Sequence, residues 1–236
     1  MKHLSFSALF FTPILLFGQT PPAHPSGFPW QNETLRYSVN WPSGLSLGEG
    51  SMSARHTEAG WTFDVSLDAG VPGFTIKDKF RSITEGDLCS TQIERDLSQG
   101  TKKVREKTTF DQKKGTAHRA TTLPENGGTT DFDITSCARD ALAFVYYLRR
   151  EMGQGRVPSA QKVYFGSAYN VRMEYTGAVN IKSGDQQAVT DKLVVSVKGP
   201  KSDTSLEIYF ARDPARTPLS VKIPVAVGTL SLELVR

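Results

Sequence analysis

Histidine and cysteine are scarce in this chain. Of four histidines in 236 residues, His3 and His24 lie near the start, which leaves His56 and His118 far apart. There is no His-x-x-x-His pair and no Cys-x-x-Cys, so the patterns of a zinc site and of a redox dithiol are both missing. Phosphate-cradling glycine motifs and the Gly-x-Ser-x-Gly elbow are missing too. No metal, no cofactor and no catalytic residue is therefore expected, and the reading leans against an enzyme. After Phe17 no long apolar run occurs, so no later segment is expected to span a membrane. The net charge is only +4, which argues against nucleic acid as a partner.

What is present begins with a leader. Met1-Lys2-His3 is positive, and "LSFSALFFTPILLF", Leu4 to Phe17, is apolar but shorter than the about 20 residues of a transmembrane helix. Residues 1–18 read as a secretory signal peptide, with an uncleaved tether as the other reading. "QTPPAHPSGFPW" follows, so residues 19–32 read as a Pro-rich extended tether. Residues 33–236 then form a single β-rich domain, of a size that all-β domains reach undivided. The expected location is the periplasm or the cell exterior. In that compartment Cys89 and Cys137 are expected to pair, the other reading being two separate buried thiols.

Apolar alternation dominates the mature chain. Leu35, Tyr37, Val39 and Trp41 share one face, as do Trp61, Phe63, Val65 and Leu67. The same period of two recurs at Leu193 to Val197, Leu206 to Phe210, Leu219 to Val227 and Leu230 to Leu234. Such runs are half-buried strands of an antiparallel sheet. "WPSG", "EAG", "DQKKG", "KSGD" and "RDPAR" read as the connections between them. "GLSLGEG", Gly44 to Gly50, reads as a twisted strand with close backbone approach. Pro218 and Pro224 place their strand at an edge or after a bend, because proline cannot donate to a ladder.

One segment breaks the pattern. "TSCARDALAFVYYLRREMGQG" carries Ala138, Ala141, Leu142, Val145, Leu148 and Met152 at helical spacing, widened by Phe144 and Tyr147. Ser136 is the expected N-cap, with Asp140 in the first turn, Arg149 and Arg150 in the last and Gly153 as the stop. An isolated helix with so broad an apolar face is not stable in water, so it must pack on the dry side of the sheet. It is either a plug closing a curved sheet or ordinary core packing. The fold class expected is mainly β: a curved antiparallel sheet or open barrel with one amphipathic helix packed on or in it.

Two surfaces are candidates for function. Trp41, Trp61, Phe63, Phe144 and Tyr147 could wall a cavity that takes a lipid or another apolar or amphipathic envelope molecule, in a protein that binds it or assists envelope assembly. Lys103, Arg105 and Lys107 belong to a basic hairpin, residues 102–119, that could meet an anionic partner or simply guard against edge pairing. The second function class is accordingly a structural protein docking a protein or anionic polymer through that hairpin and edge strands near Pro218. The pairs Asp131 with Asp133 and Asp64 with Asp68 read as solvated strand faces.

"LRYSVNWPSGLSLGEGSMSA", "CARDALAFVYYLR" and "IYFARDPARTPLSVKIPVAVGTLSLELV" together, in that order, resemble the bacterial exported family DUF3108. The resemblance covers most of the mature chain and implies an envelope protein, mainly β with one helix. It implies no activity and no catalytic residues. Asp140-Ala141-Leu142 and Arg149 are similar to the family's helix motif, and Asp213, Arg216 and Pro218 to its C-terminal turn motif. Asp213 is expected to cap that turn, and Arg216 to pair with a carboxylate across it.

Overall fold

A computed structural model describes residue 30 and residues 32–71, 73–200, 202–225 and 228–235. The expected signal peptide and nearly all of the tether lie outside these residues. Alternation does what it predicts. In chain order the first eight strands are β1 (Glu33–Asn40), β2 (Ser46–Thr57), β3 (Gly60–Val71), β4 (Phe74–Glu85), β5 (Cys89–Gln99), β6 (Lys102–Asp111), β7 (Thr116–Leu123) and β8 (Thr129–Asp133). After a short β9 (Arg139–Asp140) comes the helix α1 (Ala141–Gly153). The chain returns through β10 (Gln161–Tyr164), β11 (Ala168–Ser183), β12 (Gln186–Gly199), β13 (Ser202–Ala211), β14 (Pro218–Val225) and β15 (Gly228–Leu234).

These form one 15-stranded sheet made of two meanders, β8 back to β1 and β15 back to β9, sewn together where β1 pairs with β15. All pairings are antiparallel except β9 with β10, which the helix connects as a crossover. The sheet curls but does not close, because β8 and β9 stand at opposite edges of the strand order. The β9 edge is instead tucked onto the inner face of β4 and β5, where the Ser90 N–H donates to Ala138 O at 2.9 Å. Phe110 and Phe132 then cover Tyr164 of β10 from outside. The expected fold class is the one observed.

Each expected turn signal lies at a strand connection. "GLSLGEG" behaves as read: a Cβ on Gly48, whose φ is +149°, would sit 2.1 Å from Asp68 O of β3. The strand of Pro218 and Pro224 needs a correction in part. It is no edge strand, because β14 runs between β13 and β15. Pro218 opens it after the turn, and Pro224 lies beyond the last residue paired with β13, so neither proline interrupts a ladder on both sides.

Two hydrophobic clusters flank α1. Trp30, Phe63, Ile93, Ala143 and Tyr146 pack on one side, and Phe144, Leu148, Met152, Leu193 and Phe210 on the other. Phe63 stacks on Tyr146 with ring centres 4.1 Å apart. The packed unit reaches back to Trp30, which is 1% exposed and donates from Nε1 to Ala215 O at 3.2 Å. That tryptophan therefore belongs to the core and not to an extended tether.

Candidate functional site

The helix is held at both ends by buried polar anchors. Its N-cap is Asp140, not Ser136. Asp140 Oδ1 accepts from the Leu142 and Ala143 N–H groups at 2.8 and 3.1 Å, while Ser82 and Ser90 hydroxyls donate to Oδ2 at 2.6 and 2.7 Å. Burial raises the Asp140 pKa above the ordinary carboxylate value, and these four donors oppose it. Just ahead of both Ser90 and Asp140 in the chain, Cys89 of β5 is disulfide-bonded to Cys137, which fixes the helix entrance to the sheet as expected. Arg149 is completely buried. It forms a two-pronged ion pair with Glu33 of β1, both N···O distances 2.7 Å, and its Nε donates to Ala215 O and Arg216 O. The dipole interaction expected of Arg149 gives way to this tie between helix, β1 and the β13–β14 turn.

The cap expected of that turn is present, but the carboxylate that Arg216 meets is on β12 and not across the turn. Asp213 caps it through the Thr217 N–H and hydroxyl, and Arg216 pairs with Asp191 at 2.6 Å. Arg212 reaches the same carboxylate at 2.8 Å. Burial alone would raise the Asp191 pKa, but the hydrogen bonds from Arg212 and Tyr175 and the charges of Arg212 and Arg216 together hold it below the usual value.

Strand polarity defines the two ends of the curled sheet. Asp140 meets Ser82 and Ser90 near the β4–β5 turn, and Arg149 meets Glu33 at the start of β1. Both contacts lie at the same end, so α1 crosses that end as a floor. Above it is a cavity of about 560 Å³. Ala141, Phe144, Val145 and Leu148 face it from the helix. Val65 and Leu67 line it from one meander, and Val195, Ile208, Val221 and Ile223 from the other. The walls are therefore aliphatic and aromatic almost throughout, and they come from both halves of the sheet.

A charged cluster borders this cavity. Phe165 is part of the wall, and behind it the Arg95 guanidinium stacks 4.4 Å from the ring centre while pairing with Glu106 at 3.0 Å. Burial lowers the Arg95 pKa and the Glu106 carboxylate opposes that. Arg119 approaches the same carboxylate at 3.6 Å and donates to Gly166 O.

Of the five expected wall residues, Phe144 lines the cavity. Trp61 and Phe63 share the inner face of β3 with Val65 and Leu67, but they lie closer to the floor and pack around Trp30 and Tyr146. Tyr147 bridges the two clusters beneath the Arg139 guanidinium, 3.8 Å above its ring centre. Trp41 sits at the β1–β2 turn, near Gly228 of β15. Most of the aliphatic wall went unnamed at the sequence level, although its period of two was visible: alternation picks the inner face and not the height along a strand.

The basic hairpin residues Lys103, Arg105 and Lys107 do share the outer face of β6. Arg105 lies directly opposite Asp96 of β5 and pairs with it at 2.9 Å, and Lys107 lies opposite Glu94 at 3.8 Å. Asp64 continues the charge alternation toward β2 by pairing with Arg81 and Arg55. Lys103 faces Ser98 and has no ion-pair partner among the described residues. Asp131 and Asp133 are both exposed on β8, and Asp131 meets His118 Nδ1 at 2.7 Å.

No helix among the described residues is long and apolar enough to cross a membrane. Compared with known proteins, the chain finds no match among curated sequences. Its fold is similar to the crystal structure of a beta-barrel-like protein of domain of unknown function DUF1849 from Brucella abortus, with a TM-score of 0.61 and 9% identity over 89% of this chain and 98% of that one. At that identity the likeness concerns the fold alone. The family described as protein of unknown function DUF3108 matches residues 36–235, which takes in β1 from Arg36, β2 through β15 and the helix with Asp140 and Arg149, and the chain belongs to that family.

Proposed function

We propose that this is a non-enzymatic exported protein that holds an apolar or amphipathic envelope molecule, such as a lipid, in the cavity above α1. The observation that carries this reading is the cavity itself, about 560 Å³ and walled by apolar side chains from the helix and both meanders. That volume falls within the roughly 300–1,000 Å³ of ligand sites. The cavity is partly open to solvent, so its apolar lining meets water when it holds nothing, and an apolar occupant would cover that surface. The disulfide suits an oxidising compartment.

Native mass spectrometry of protein purified from its own envelope tests the reading directly, with a lipid adduct as the expected result. In parallel, a pyrene-labelled fatty acid is titrated into delipidated protein. Leu67→Trp fills the cavity from its wall and is expected to weaken the probe at least tenfold while leaving the melting midpoint near that of the wild type. Equal binding by both proteins, or no adduct and no binding, overturns the reading.

A further inference from the structure

The cavity wall does not end where the cavity ends. On β3 the inner face runs Val65, Leu67, Ala69, Val71, and on β14 it runs Val221, Ile223, Val225. The lower members line the cavity, whereas Val71 is 44% exposed and Val225 36% exposed at the strand tips. Phe74, directly opposite Val71 in the β3–β4 hairpin, is 47% exposed, and Leu45 in the β1–β2 turn is 62% exposed. All four stand at the end away from the helix floor. Their hairpins follow one another along the sheet in the order β4-β3, β2-β1, β15-β14, so the tips form one continuous arc of rim. Trp41 is on the same arc, seated between its own turn and Gly228 of the next hairpin.

Positive charge flanks the arc. The Phe74 ring lies 3.0 Å from where a Cβ on Gly100 would be, which brings it against the β5–β6 turn. Lys102 and Lys103 leave that turn, both exposed. They lie opposite Gln99 and Ser98, so β5 supplies no carboxylate to either, and neither has an ion-pair partner among the described residues. Nearby acids are committed elsewhere: Asp96 to Arg105, Asp68 to Lys77, and the buried Asp78 to Gln99.

From this arrangement we infer that the open rim is a docking surface for a lipid bilayer bearing anionic headgroups. Leu45, Val71, Phe74 and Val225 enter the interfacial layer, Trp41 sits at headgroup depth as tryptophan does, and Lys102 and Lys103 meet the phosphates. Docked this way, the mouth faces the bilayer and a lipid passes between membrane and cavity along an unbroken apolar strip. The inference rests on the cavity being a lipid site, but the two are separable by experiment.

The test is flotation of full-length mature protein with vesicles of phosphatidylethanolamine and phosphatidylglycerol, and with vesicles of phosphatidylcholine alone. Wild type is expected to float with the first far more than with the second. Leu45→Glu with Phe74→Glu is expected to abolish flotation, and Lys102→Gln and Lys103→Gln to weaken it about fivefold each. These positions are exposed tips, so the melting midpoint is expected to hold. Leu67→Trp is expected to float normally while losing the pyrene-labelled fatty acid. Flotation by a wild type that binds no fatty acid supports the rim and sinks the cavity reading. Undiminished flotation of the double glutamate variant overturns the docking surface. So does a wild type that never floats but sediments as a dimer dissolved by the same glutamates, for then a second copy covers the rim.

Discussion

Asp140 shows how much one side chain carries. It ends β9, caps α1 and receives hydroxyls from two strands of the opposite meander. Because burial raises its pKa in the folded state, folded protein binds a proton there more readily than unfolded chain. Its contribution to stability is therefore greatest below the ordinary carboxylate pKa and falls as pH rises through the raised one. Asp140→Asn cannot titrate, so its stability, measured by urea unfolding, should fall less than that of the wild type across that window. The sequence alone points to Ser136 as readily as to Asp140, since both residue types are good caps. What decides between them is Ser82 and Ser90, 58 and 50 residues away and invisible to local pattern. Arg149 was obscured in the same way: its partner Glu33 is 116 residues distant.

At the scale of elements, the helix is legible and its surroundings are not. Helical spacing marks α1, and the helix buries its stripe as an isolated amphipathic helix must, with the sheet wrapped on both sides of it. The stripe is not buried evenly, however. Val145 is half-buried and looks into the cavity, which no periodicity distinguishes from Leu148. The Cys89–Cys137 bond closes a loop of 48 residues just ahead of the helix. By the loop-entropy relation it contributes about 4 kcal/mol. Replacing both cysteines by alanine should lower the unfolding free energy by about that amount in urea titrations. Fatty-acid binding should weaken along with it, because the cavity floor loses one of its anchors.

For the molecule as a whole, strand faces, turns and the open sheet could be read from alternation, while the order of strands could not. Nothing local says that β14 with its two prolines is an interior strand, or that Arg105 and Lys107 meet carboxylates one strand away. Those cross-strand pairs sit on the outer face and are worth little singly. The interior should dominate: an apolar ligand at a free concentration 100 times its Kd should stabilise the fold by about 2.7 kcal/mol. Thermal melts of wild type with saturating fatty acid should rise accordingly, and those of Leu67→Trp should not move.

The seam between β1 and β15 sets the order in which such a vessel can be made. Ser38 and Glu233, joined across it, are separated by 195 residues. As the polypeptide leaves the ribosome, the first meander and the floor emerge long before β15 arrives to stitch the second meander to β1. Until then half the greasy lining has no opposite wall.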